Sequence, residues 1–181
     1  MTKFLATKTG QKLAYSFTKG TGPTVVFLGG FKSDMEGSKA IFLEKWAKKR
    51  NRSFLRFDYS GHGQSSGDFL NLGIGDWLND TKQIIELTQN NGLILIGSSM
   101  GGWISLLLSR ELGSRLKGLI TIAAAPDFTE ESMWKNFTAD QKKEVLNKGV
   151  LYLPSDYGEP YPITRYLIEN GRQNLVLREP L

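Results

Sequence analysis

The sequence predicts an α/β fold built around a largely parallel sheet, and three observations carry the prediction. The first two-thirds of the 181-residue chain alternates short apolar runs with amphipathic helical patterns, the rhythm of strands joined by helical crossovers. Two of the runs, Val25-Val26-Phe27-Leu28 and Leu93-Ile94-Leu95-Ile96, are apolar at consecutive positions, as strands covered on both faces require. Glycine-rich turns follow these and one further run, at Gly29-Gly30, Gly61-His62-Gly63 and Gly97 to Gly101. A chain of this length can bury about 70% of its unfolded surface. Its 40% hydrophobic and 23% charged content fits one globular domain.

In order, residues 12–17 read as an edge strand and 19–23 as a turn. Residues 24–28 form a buried strand, 38–49 a helix and 53–58 the next strand. A second helix begins at Asp76, where Trp77, Thr81, Ile84, Ile85 and Thr88 recur at helical spacing and Asp76 and Asp80 lie toward the positive end of its dipole. Residues 93–96 are the most buried-looking strand, and the helix 101–112 that follows is apolar nearly all round from Trp103 to Leu108, which places it centrally. Residues 119–122 make one more strand, ending at Ala123-Ala124-Ala125-Pro126-Asp127. From Phe128 to about Arg165 the alternation breaks down. Helical patches at 140–147 and 163–170 surround a Pro- and Tyr-rich stretch, which reads as an insertion over a site and not as another sheet unit. The division expected is 1–127 for the N-terminal part of the core, 128–165 for a lid-like insertion and 166–181 for the start of the return to the core.

Composition closes several chemistries. The chain has no cysteine and one histidine, which excludes disulfides and thiolate sites and argues against an all-protein metal cage. No metal and no organic cofactor is expected. No apolar run approaches the roughly 18 residues of a membrane span, and the start carries no signal-like stretch, so a cytoplasmic location is expected. The net charge of +5 invites a nucleic-acid reading. Its densest basic cluster, Lys45, Lys48, Lys49, Arg50 and Arg52, lies at a helix end, where cations complement the dipole. No base-reading or base-stacking signature accompanies it. The glycines from Gly61 to Gly67 lack the spacing and the chain position of a dinucleotide loop.

Gly97-Ser98-Ser99-Met100-Gly101 matches G-x-S-x-G between a buried strand and a buried helix, the context in which a serine is lifted on a strained turn above the sheet edge. The flanking glycines give the backbone room for that turn. The Met100 N–H, at the head of the helix, can meet an oxyanion, and a second donor is expected from Phe31 in the loop Gly29-Gly30-Phe31. Losing one such donor costs about 3 kcal/mol of transition-state stabilisation. Gly30, Trp134, Phe137 and Tyr152 are candidates for lining a substrate pocket, with Phe128, Met133 and Tyr157 among the neighbouring aromatic and apolar residues.

Gly29-Gly30-Phe31, Arg56-Phe57-Asp58-Tyr59-Ser60-Gly61-His62-Gly63-Gln64-Ser65 and Gly97 to Trp103 together resemble the α/β-hydrolase family. Within it the chain is similar to the mycophenolic acid acyl-glucuronide esterase and palmitoyl-protein thioesterase group. The resemblance implies serine-dependent hydrolysis of carboxylic esters or thioesters, with Ser99 as nucleophile and Phe31 and Met100 as oxyanion donors. It also implies a triad acid after the seventh strand and a histidine after the eighth, and the chain stops at Leu181 before either would begin. The expectation is a fragment lacking the last strands, with a complementing C-terminal segment as partner. His62 is expected to pack in its loop, Asp127 to serve a turn, and Asp58 to anchor the glycine-rich turn. The alternative is a degenerate, non-catalytic binding module of the same fold.

Overall fold

A computed structural model describes residues 2–8, 10–89, 91–154 and 159–178. Its centre is a six-stranded sheet in the order β1-β2-β4-β3-β5-β6. The strands are β1 Lys3–Ala6, β2 Lys12–Thr18, β3 Thr21–Leu28, β4 Arg52–Phe57, β5 Leu93–Ser98 and β6 Leu116–Ile122. β1 and β2 run antiparallel to their neighbours, while β4, β3, β5 and β6 are mutually parallel. The fully apolar runs lie where their composition requires: β3 and β5 pair at the centre, with Val26 opposite Leu95 and both fully buried.

Helices α1 Ser38–Lys49, α2 Ile74–Ile84 and α3 Met100–Leu112 cover the sheet. α1 packs against Val25, Phe27, Phe54 and Ile96 through Ala40 and Ala47. On the larger core side, Trp77 of α2 and Trp103 of α3 are fully buried among Leu55, Phe57, Leu93 and Leu95. Two differences from the sequence reading concern this sheet. The last three residues of the turn expected at 19–23 already belong to β3, which carries an irregularity between Thr21 and Val25. β1 was not legible, because its mostly exposed residues carry no buried alternation.

The 128–165 stretch contains a π-helical turn Thr129–Met133, helix α4 Ala139–Lys148 and strands β7 Val150–Leu153 and β8 Tyr161–Thr164. The stretch adds no strand to the central sheet; β7 and β8 pair with each other in a separate antiparallel two-stranded sheet, which the sequence reading does not anticipate. Pro162 hides it in the sequence, but in a two-stranded ladder a missing N–H can face outward without loss. The chain then returns through α5 Arg165–Arg172. Asp127, at φ 54°, is the knot of this return. Its buried carboxylate accepts the N–H groups of Val176 and Leu177 at 2.8 and 3.0 Å, and the Trp103 indole donates to the Asn174 carbonyl at 3.0 Å.

A buried ion pair ties α1 to the sheet. Arg56 of β4 meets Glu44 at 3.1 Å with both side chains under one-tenth exposed, and Ser16 and Thr18 donate to the same carboxylate. Burial alone would raise the Glu44 carboxyl, but Arg56 and the hydroxyls hold it below its ordinary value. Arg56 also donates to the Met35 carbonyl at 2.8 Å, so the pair reaches the loop after β3. Arg56→Leu removes the buried partner of Glu44, leaving it Lys48 at 3.3 Å and the two hydroxyls, and should cost up to about 3–5 kcal/mol in urea denaturation, with Arg56→Leu/Glu44→Gln recovering much of the loss.

Candidate active site

Ser99 is the single residue between β5 and α3 and lies at φ 52°, ψ −117°. A non-glycine residue with such a backbone is strained and needs to be held there. The hold comes from the neighbouring strand: the Ser99 N–H donates to the Ile122 carbonyl at 3.0 Å, and the Ser99 carbonyl accepts from Ala125 at 3.1 Å. Glycine is required around it. A Cβ on Gly97 would overlap the Gly101 carbonyl, one on Gly101 the Leu28 carbonyl, and one on Gly102 the side chain of Ala124. β5, β3 and β6 thus meet the first turn of α3 at a separation that no side chain could share.

The turn leaves Ser99 partly exposed, lining a cleft of about 380 Å³ with Phe27, Gly30, Phe31, Ser33, Lys39 and Ser98. Among the described residues the Ser99 hydroxyl makes no hydrogen bond, and neither the Met100 nor the Phe31 N–H has a protein acceptor. Met100 is the first residue of α3, so its amide is one that a helix start leaves open. A Cβ built on Gly30 would lie 3.5 Å from the Ser99 Cβ, which places the loop after β3 directly beside the serine. The arrangement suits a group that gains negative charge next to the hydroxyl.

That loop is suspended from buried polar groups. Asp58 accepts the Met35 N–H at 2.6 Å and the Gln64 N–H at 2.8 Å, so it anchors the glycine-rich turn as expected and the loop across from it as well. Burial raises its carboxyl despite both bonds. The Phe31 ring sits edge-on to Phe69, Trp77 and Phe128 at 5.2–6.1 Å and tilted to Tyr161 of β8 at 6.0 Å.

The remaining sequence candidates fall elsewhere. Gly30 lines the cleft, whereas Trp134, Phe137 and Tyr152 do not, and the reason is packing. Trp134 and Phe137 sit edge-on to each other at 6.2 Å, Lys142 and Arg172 lie over the Trp134 ring, and Tyr152 turns outward at 58% exposure. Tyr157 lies outside the described residues. His62 bonds elsewhere through both ring nitrogens: Nε2 accepts the Lys32 N–H at 3.2 Å and Nδ1 faces the Ser60 carbonyl at 3.1 Å. Asp127 is spent on Val176 and Leu177.

His62 and Asp80 give the site a pH signature. Burial pushes His62 down to about 4 against the pull of the Ser60 carbonyl. Burial pushes Asp80 up to about 6, although it accepts the Ser60 N–H. As pH falls from the usual histidine value of about 6.5 toward 4, the unfolded chain protonates His62 and the native one does not, so stability is lost. Over nearly the same window native Asp80 takes its proton before the unfolded chain does, so stability is gained. Each slope is at most about 1.4 kcal/mol per pH unit, and they oppose. Relative to the parent chain, Asp80→Asn should therefore lose stability on acidification across this window and His62→Phe should gain it, read by urea denaturation at a series of pH values.

Comparison with known proteins agrees with this architecture. Residues 21–166 match the family model described as "Serine aminopeptidase, S33" (Hydrolase_4). A hydrolase structure from Agrobacterium vitis S4 superposes with a TM-score of 0.91 at 33% identity, over 98% of this chain and 73% of that one. The mouse α/β hydrolase domain-containing protein 10 superposes with a TM-score of 0.87 at 31% identity, over 99% and 72%. The human mitochondrial palmitoyl-protein thioesterase ABHD10 is 34% identical over 171 residues, 93% of this chain and 56% of the relative. The chain spans a little over half the length of such curated relatives. The chain belongs to the α/β-hydrolases, in the family described as serine aminopeptidase, S33.

Proposed function

We propose that the protein hydrolyses carboxylic esters or thioesters through Ser99, and that the turn 97–101 is a nucleophile elbow with an oxyanion hole beside it. The observation that carries this reading is the Ser99 hydroxyl on a positive-φ backbone, next to the Met100 and Phe31 amides, none of the three with a hydrogen-bond partner among the described residues. The Ser99 oxygen attacks the acyl carbonyl, the carbonyl oxygen takes the electron pair, and the Met100 and Phe31 N–H groups hold the resulting charge. Collapse expels the alcohol or thiol and leaves an acyl-serine, which water cleaves in a second passage through the same site.

Both passages need a base: in the first it takes the Ser99 hydroxyl proton and gives it to the departing alcohol or thiol, in the second it takes a proton from the attacking water and returns it to the Ser99 oxygen, and an acid must orient that base. Neither His62 nor Asp127 is free for these roles. The chain spans a little over half the length of its curated relatives, and we assign the two roles to the part of such a protein that it does not span. The thioester class is favoured by relatives named palmitoyl-protein thioesterases. Residues 128–165 serve as the cap over the site, a role supported by the contacts of Phe128 and Tyr161 with the Phe31 ring.

The test is covalent labelling with a fluorophosphonate, applied to the 181-residue chain and to the full-length gene product, followed by mapping of the modified residue. Label at Ser99 in the longer form, lost in Ser99→Ala, supports the reading. Absence of label in a folded full-length protein overturns it in favour of a binding module. Gly30→Ala offers a finer measurement. Its Cβ makes only ordinary contacts, 3.5 Å from Ser99 and 3.7 Å from the Ser33 hydroxyl and the Ser98 carbonyl. The fold should therefore persist while labelling by a bulky phosphonate slows more than labelling by a small one.

A further inference from the structure

We propose that His62, with Ser33, is a positioning residue that fixes the Phe31 N–H as an oxyanion donor, an inference that rests on the function proposed above. A backbone amide points where its peptide plane points, and the two planes on either side of Phe31 are each pinned. The first contains the Gly30 carbonyl and the Phe31 N–H. Its carbonyl accepts both the Ser33 N–H at 3.2 Å and the Ser33 hydroxyl at 2.8 Å. Because the N–H of a trans peptide lies opposite its carbonyl, holding the Gly30 oxygen aims the Phe31 hydrogen away from Ser33. The second plane contains the Phe31 carbonyl and the Lys32 N–H, and that N–H donates to His62 Nε2 at 3.2 Å. Lys32 itself lies at φ 57°, a conformation a lysine does not hold without external support.

His62 is suited to the task because it is itself immobilised. The Ser60 carbonyl that faces its Nδ1 also accepts the Trp77 indole N–H at 3.1 Å. The ring is 4% exposed and stands edge-on to Tyr59, Phe69 and Trp77 at 5.1–5.6 Å. Accepting the Lys32 N–H requires a neutral imidazole with its hydrogen on Nδ1, and burial keeps the ring neutral down to about pH 4. Two of the rings around it, Phe69 and Trp77, also contact Phe31. The loop is therefore held through one aromatic cluster and two peptide planes.

The experiment uses the full-length gene product, p-nitrophenyl butyrate as substrate probe and the fluorophosphonate label. Asn in place of His62 can reproduce the Nδ1 donor but is too short to reach the Lys32 N–H, whereas Gln places an oxygen near the Nε2 position. Expected is a fall in kcat of up to about a hundredfold for His62→Asn at little-changed KM, with His62→Gln recovering most of it and both variants melting as folded proteins. A folded His62→Asn with parental kcat overturns the proposal and leaves the hydrolase reading intact. Equal loss in both variants, following loss of folding, reduces His62 to a packing residue and also overturns it. Long-range nitrogen–proton NMR of the unmodified protein decides independently of turnover: a proton on Nδ1 supports the Lys32 bond, and a proton on Nε2 removes it. If the parent protein leaves Ser99 unlabelled, the hydrolase reading itself falls, and the catalytic meaning of the clamp with it.

Discussion

Ser99 occupies a backbone region that costs a residue with a side chain about 1–3 kcal/mol, and the surrounding structure is arranged to keep it there. Its N–H and carbonyl continue the β5–β6 pairing beyond the last regular residue, so the turn is stitched to the sheet on both sides. The helix that follows can begin at Met100 only because Gly97, Gly101 and Gly102 let backbone approach backbone. The apolar strands β3 and β5, the buried Trp103 and the close helix–sheet packing all contribute to one outcome: a polar hydroxyl displayed at the end of a hydrophobic sheet, with no partner among the described residues.

The loop opposite Ser99 is held by a different kind of force. Arg56, Asp58 and His62 stand on β4 or in the turn after it, and each reaches across to the 29–37 loop: Arg56 to the Met35 carbonyl, Asp58 to the Met35 N–H, His62 to the Lys32 N–H. Buried polar groups are costly unless satisfied, and here their satisfaction is what fixes the loop. Two strands are thereby coupled at their carboxyl ends: β5 carries the serine, and β4 carries the supports of the segment facing it.

Much of this was readable from the residues. The apolar runs at 25–28 and 93–96, the helix at 38–49 and the glycine spacing around Ser99 are local signals, and the structure keeps them in place. Asp58 as a turn anchor was legible too, since a carboxylate ahead of a glycine-rich turn has few other uses. The failures have specific causes. β1 and the β7–β8 hairpin carry little buried surface or contain proline, so periodicity cannot mark them. Aromatic character in the insertion marks Trp134, Phe137 and Tyr152 as pocket candidates, but it does not distinguish a ring lining a cleft from one packed on its neighbours, as Trp134 and Phe137 are, or one turned to solvent, as Tyr152 is. The partners of His62 are 30 residues away at Lys32 and two away at Ser60, and the contact that reaches the loop is the distant one. No spacing rule could have found it.

The two flanks of the central sheet are built unequally. One ends in β1, four residues long and opening with Lys3. The other ends in β6, seven residues long, whose single charge is Lys117 and whose Ile120 is 52% exposed. Short charged edges resist strand addition, and long apolar ones invite it. Among the described residues β6 is thus the longer of the two open edges, with one charge in seven residues against one in four for β1. A strand added at β6 would lie beside the backbone that steadies Ser99.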